Sequence, residues 1–133
     1  MRSHAIKVDK KIPSFAGSGG GSSDAATYLL MCNEVLHLGL SRDELASIGS
    51  KVGADVPFFV YGYQSANVSG IGEIVEAYDE PALHIKTVTP NIELSTPKVY
   101  QGFREHFYKE LRAYEVERLS NISSLDALKE MTP

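Results

Sequence analysis

Seven consecutive residues, Gly17-Ser18-Gly19-Gly20-Gly21-Ser22-Ser23, carry no side chain larger than a hydroxymethyl group. Such a run adds nothing to a hydrophobic core, and each glycine inside a helix or strand costs roughly 0.5–1 kcal/mol relative to alanine. What surrounds the run decides its purpose. Before it, Ala5-Ile6-Lys7-Val8-Asp9-Lys10 alternates apolar and polar, the period of a half-buried strand. Lys11-Ile12-Pro13 ends that strand, because proline cannot donate to a ladder. After it, Asp24 to His37 turns helical, with Ala25, Leu29, Cys32 and Leu36 on one stripe and Tyr28, Met31 and Val35 on another. A helix apolar on most sides is expected to be buried. A Gly/Ser run between two self-sufficient units would be a flexible linker. Here one strand leads in and a buried helix follows without a break, which favours an anion cradle. Glycine lets backbone N–H groups approach a phosphate, and the free N–H groups and dipole of the next helix favour negative charge. Ser22 and Ser23 add hydroxyls at the helix start. No Gly-Lys-Ser/Thr follows, so this is not a Walker A loop, and Ser22 stands where a dinucleotide fingerprint needs its third glycine.

Further along, Leu38-Gly39-Leu40 closes the helix and Ser41-Arg42-Asp43-Glu44 forms a capping box. Leu45, Ile48 and Val52 give the second helix its inward face. Gly53-Ala54-Asp55-Val56-Pro57 reads as a turn, followed by a short aromatic strand, Phe58-Phe59-Val60-Tyr61. Asp55 is open to two readings: a turn aspartate bonding its own backbone, or a carboxylate that accepts or orients a hydroxyl proton during phosphoryl transfer. Strands are expected at Ser65–Val68, Ile74–Tyr78 and Leu83–Val88, with Gly62, Gly70 and Gly72 at the joints. Thr96 suits an N-cap and Pro97 the first helical position; Tyr100, Phe103, Phe107 and Leu111 then share a face. Ser123–Met131 is a final, weaker helix. Strands and helices are mixed without a regular βαβ alternation, so the expected class is α+β.

Composition narrows the function. The 133 residues suit one domain of ordinary soluble make-up, and the net charge of −4 argues against a nucleic-acid partner. The acidic run through Glu73, Glu76, Asp79 and Glu80 points the same way. One cysteine excludes an internal disulfide, and Cys32, inside an apolar helix, reads as a packing residue. The four histidines show no paired ligand spacing, so no protein metal site is expected. No apolar run approaches a membrane span and no apolar leader follows Met1, which leads to the expectation of a cytoplasmic location.

Taken together these segments resemble the GHMP small-molecule kinases. The carrying residues are Asp9-Lys10-Lys11-Ile12-Pro13 and Ala16 through Thr27, then Asn33, Leu38-Gly39-Leu40 and Glu44-Leu45. Gly53-Ala54-Asp55-Val56-Pro57-Phe58-Phe59, Gly70-Ile71-Gly72-Glu73 and Ser95-Thr96-Pro97-Lys98-Val99-Tyr100 complete the series. Among them the Gly53-Ala54-Asp55-Val56-Pro57 block looks like the branch that acts on diphosphocytidyl-methylerythritol in non-mevalonate isoprenoid synthesis. The resemblance implies an amino-terminal GHMP kinase domain, an α+β sandwich related to a ribosomal-protein domain, over residues 1–90, and the start of a helical carboxy-terminal part over 91–133. It implies that Pro13, Ala16, Gly17, Ser18, Gly19, Gly20, Gly21, Ser22 and Ser23 hold the phosphates of ATP, with Mg²⁺ assisting. Asp55 would be the catalytic aspartate, and Thr96 and Tyr100 would meet the substrate, Tyr100 by stacking on cytosine. Tyr100 also lies on the apolar stripe with Phe103 and Phe107, the stripe a core would use.

The sequence departs from the family at Ser18, usually leucine, and at Ser14-Phe15, where Phe15 would narrow an adenosine pocket. Family members are markedly longer, so the chain is expected to be an internal fragment without the amino-terminal lysine and the carboxy-terminal half. Its missing first strands would leave open edges that favour self-association. Other classes stay in view: a different GHMP kinase, a non-catalytic fragment, or a nucleic-acid-binding module of the same fold.

Overall fold

The computed structural model describes residues 5–12, 17–90, 92 and 94–131. The chain divides into two units, Met1–Asp79 with His84–Pro90, and Glu80–Leu83 with Asn91–Pro133.

The first unit is built on three helices. Helix α1 (Gly20–Val35) begins four residues before the position where the apolar pattern starts. Glycines are tolerated there because the first N–H groups of a helix need no intrahelical acceptor, and Gly19 turns into the left-handed region at φ 66° to start it. At its far end the Asn33 side chain donates to the Leu40 carbonyl and accepts from the Leu40 N–H, both at 2.9 Å. That pair pins the connection to α2 (Arg42–Ser50). The capping box of α2 forms as its sequence dictates: Ser41 Oγ accepts from the Glu44 N–H at 3.2 Å, and Glu44 accepts from the Ser41 N–H at 2.8 Å. Those bonds hold the Glu44 carboxyl below its usual range.

Where the aromatic run suggests a strand, the chain instead forms helix α3 (Val56–Tyr61). Pro57 supplies a helical φ in its first turn and Gly62, at φ 72°, closes it. Its buried residues Val56, Pro57 and Val60 share one side. A short all-apolar run fits either element, and here the caps and the packing partner choose the helix. Ala26 of α1, Leu45 and Ala46 of α2, and Val56 and Val60 of α3 make the core, with Leu29, Leu30, Leu40 and Phe59 packed on it.

Strands β1 (Ala66–Ser69) and β2 (Ile74–Ala77) form an antiparallel hairpin with Val68 opposite Val75. The hairpin and helices agree with the α+β class. Two expected strands are absent. Residues 5–10 and 83–88 are irregular and exposed, because alternation makes a strand only where a second strand supplies the ladder. Among the described residues neither has one. The expected burial of α1 is also incomplete: Tyr28, Met31 and Val35 are exposed.

The second unit holds α4 (Thr96–His106), α5 (Ala113–Ser120) and α6 (Ser124–Met131). Ser95, not Thr96, is the N-cap of α4, and Pro97 sits within the first turn. Helix α5 was not expected from the sequence, since Arg112 is a poor N-cap; the Glu115 carboxylate accepts from the Arg112 N–H at 2.9 Å instead. Glu80 accepts from the Ser124 hydroxyl at 2.5 Å and from the Ser124 N–H at 2.9 Å at the head of α6, which lowers the Glu80 pKa. Arg118 forks onto Glu130 with bonds of 2.9 and 2.6 Å. No described side chain in this unit is buried.

Candidate functional site

The Gly/Ser loop runs directly into the N-terminus of α1. Gly17 and Gly19 have φ of 67° and 66°, a region other residues avoid. A Cβ built on Gly19 would lie 2.8 Å from Cζ of Phe59, so the loop backbone rests on the α3 ring. A Cβ on Gly20 would meet Ile12 at 3.1 Å. A Cβ built on Gly17 or Gly21 would meet no neighbouring group within 4 Å, so these two glycines face open space. The loop is thus anchored at Gly19 and Gly20 and accessible on either side. Three backbone N–H groups, of Gly20, Gly21 and Ser22, precede the first intrahelical bond, Ser23 N–H to Gly19 carbonyl at 2.8 Å. The site has the donors and the room that a phosphate requires. The Ser23 hydroxyl turns back and donates to the Gly20 carbonyl at 2.9 Å, a common use of serine in a helix. Pro13 and Ala16, also named from the sequence, lie outside the described residues.

Asp55 heads α3. Its backbone is helical, at φ −80° and ψ −11°, and its side chain makes no cap hydrogen bond. The exposed carboxylate therefore is not spent on its own turn, the first of the two readings open in the sequence. The turn that carries it lies beside the loop: a Cβ on Gly53 would be 4.0 Å from Ser22 Oγ. The tip of the β1–β2 hairpin also lies against this turn, where a Cβ on Gly72 would be 3.2 Å from Asp55 Oδ1. Three segments distant in sequence thus meet around one carboxylate and one helix N-terminus. The opposite charges that flank the loop also pair, Lys10 Nζ lying 2.6 Å from Asp24 Oδ2. That pair ties the incoming segment to the first turns of α1, and its only sequence signal was charge of opposite sign at the two ends of the loop.

Residues 2–63 match the family model described as the GHMP kinases N terminal domain. Over 132 residues, 99% of the chain, the sequence is 65% identical to a protein of Sulfurimonas denitrificans named 4-diphosphocytidyl-2-C-methyl-D-erythritol kinase. Proteins of the same name from Sulfurovum sp. and Geobacter metallireducens are 50% identical over 84% of the chain and 54% identical over 74%. The chain belongs to the GHMP kinase family. It spans 50%, 44% and 35% of the lengths of these three relatives.

In this GHMP kinase chain a groove of about 450 Å³ lies away from the Gly/Ser loop. It runs between residues 5–9 and the outward face of α1, past Tyr28, Met31, Cys32 and Val35. Cys32 bonds the Tyr28 hydroxyl and raises its pKa. Phosphate recognition needs N–H groups more than apolar walls, so the loop is the better chemical candidate. Thr96 and Tyr100 belong to the second unit, one helical turn apart on α4, and both are exposed. Tyr100, Phe103 and Phe107 are 64%, 48% and 74% exposed, so the stripe does not serve as a core within this chain.

Among the described residues no three His, Cys, Asp or Glu side chains gather as a metal site. No helix among the described residues is long and apolar enough to cross a membrane.

Proposed function

We propose that the chain holds the phosphates of ATP on Gly17–Ser23 and serves phosphoryl transfer to the 2-hydroxyl of 4-diphosphocytidyl-2-C-methyl-D-erythritol. One observation supports the reading: the turn bearing Asp55 lies beside the N-terminus of α1, a Cβ on Gly53 being 4.0 Å from Ser22 Oγ, so a carboxylate stands in the neighbourhood of the Gly/Ser loop. The N–H groups of Gly20, Gly21 and Ser22 bind the polyphosphate, and Asp55 accepts or orients the proton of the attacking hydroxyl. ATP supplies the phosphoryl group and Mg²⁺ offsets its charge. Thr96 and Tyr100 of the 91–133 segment approach the cytidyl end, Tyr100 as a stacking ring, while residues 1–90 form the nucleotide half. A bacterial enzyme of this kind works in the cytoplasm, and open strand edges favour self-association, which sedimentation would reveal.

Gly21 provides a clean test, because its surroundings are open and its position is helical. Gly21→Asp places a negative charge at a helix N-terminus, which favours the free fold, and repels phosphate. Mg-ATP is expected to raise the unfolding temperature of the wild-type chain, equivalent to about 2.7 kcal/mol at one hundred times its dissociation constant. Gly21→Asp is expected to keep the fold and abolish the rise. No rise in the wild-type chain would overturn the reading. Asp55→Asn is expected to retain the rise and lose transfer to the diphosphocytidyl substrate.

A further inference from the structure

We infer that Gly72, at the tip of the β1–β2 hairpin, is a positioning residue that sets where the Asp55 carboxylate points. The inference deepens the proposed function and rests on it for its catalytic meaning. Gly72 has a φ of 125°, and a Cβ there would lie 3.2 Å from three atoms: Ala54 Cβ, the Ala54 carbonyl oxygen and Asp55 Oδ1. Its own backbone is held in turn. The Gly72 N–H donates to the Ser69 carbonyl at 3.1 Å, and Glu73 folds back to accept from the Ile71 N–H at 2.7 Å. The hairpin tip therefore lays a bare backbone against the Gly53–Asp55 turn. Since the carboxylate of Asp55 makes no cap bond to α3, the hairpin tip is its immediate lateral support. Glycine is required twice over, by its φ and by the closeness of the turn.

Gly70 provides the control. It also has a positive φ, 69°, so alanine there is strained too, but the atoms nearest its Cβ would be those of the Glu73 carboxylate, the far end of a long side chain, and not those of Ala54 or Asp55. Gly72→Ala and Gly70→Ala thus share backbone strain and differ in whether they touch Asp55.

Amide resonances of the chain decide the matter without any assay of transfer. Gly72→Ala is expected to move the Ala54 and Asp55 amides and leave those of Gly19–Ser23 in place, with the Mg-ATP shift retained; Gly70→Ala is expected to move the Ile71 amide, whose bond to Glu73 it disturbs, and to leave all the others in place. If both variants move Ala54 and Asp55 equally, the effect is general hairpin strain and the inference fails. Should Gly72→Ala not fold, the wild-type chain answers by a nuclear Overhauser contact between the Gly72 α-protons and the Ala54 methyl group, whose absence overturns the inference. In transfer assays Gly72→Ala is expected to lower kcat about tenfold or more, with KM for Mg-ATP little changed, as misplacement of a reacting group does. Resonances that respond as expected in a chain that neither binds Mg-ATP nor transfers phosphate would preserve the positioning and discard the kinase reading.

Discussion

The two units use the same element, the amphipathic helix, in opposite ways. In the first, α1, α2 and α3 bury a shared core, and every fully buried side chain of the described chain is there. In the second, α4, α5 and α6 bury nothing, although their apolar residues are as regularly spaced. What holds the second unit is polar: Glu80 at the head of α6, Glu115 at the head of α5, and the fork from Arg118 to Glu130. A regular apolar stripe therefore states what a helix is able to bury, and a partner decides whether it does. The candidate site follows that division. The loop and Asp55 sit on the packed unit, where position is firmly held, while Thr96 and Tyr100 lie on the unpacked one.

The comparison is tested most sharply at Leu45, 2% exposed in α2. Leu45→Ala is expected to cost about 2–5 kcal/mol by denaturant unfolding, and Phe103→Ala on α4, 48% exposed, far less. Equal costs would mean that the second unit has a core of its own. Next come two helical glycines. A Cβ on Gly49 would lie 2.7 Å from Val56 Cγ1, so Gly49→Ala should destabilise by about 1–3 kcal/mol. Gly102 has nothing within 4 Å, so Gly102→Ala should stabilise by roughly 0.5–1 kcal/mol through helix propensity. The same substitution thus changes sign between the units. Ser41→Ala should remove the α2 capping box for about 1 kcal/mol, read by the same unfolding curves.

The smallest effect is on pH. Glu80, Asp126 and Glu130 of the second unit have lowered pKa values, chiefly through hydrogen bonds from Ser124, Lys129 and Arg118. Carboxyls depressed in the folded state stabilise it above their ordinary unfolded range, and that contribution is lost as pH falls through the lowered values. Only Glu44 behaves this way in the first unit. Amides of α5 and α6 are therefore expected to lose exchange protection at a higher pH than those of α1 to α3 as the solution is acidified. Salt should weaken the Arg118–Glu130 fork in the same unit. Simultaneous loss across both units would break the distinction.

Local signals were legible wherever both partners lie within a few residues. Ser41 and Glu44 dictate their own capping box, and the glycines at 17–21 dictate a loop that enters a helix N-terminus. Asn33 closing onto Leu40 and Glu80 onto Ser124 left no such mark, since each needs a partner brought by the fold. The aromatic run at 58–61 misleads because β-propensity reports packing on a pleated surface, and here the surface is α1 and α2. At the site, the loop and Asp55 are readable as residue types with a chemistry. That Phe59 supports Gly19 and Gly72 supports Asp55 is not readable, because both are contacts of bare backbone.

The sequence by itself determined the capping box of α2, the entry of the Gly/Ser run into a helix and the membership of the GHMP kinases, since each rests on residue identities at short, fixed spacing. Only the tertiary structure decided that residues 56–61 coil, that 5–10 and 83–88 stay unpaired, and that Ser22, Asp55 and Gly72 share one neighbourhood. The reason is the range of the forces involved. Caps and backbone preferences act within a turn of chain, whereas strand pairing and close packing exist only when distant segments exclude water from the same place.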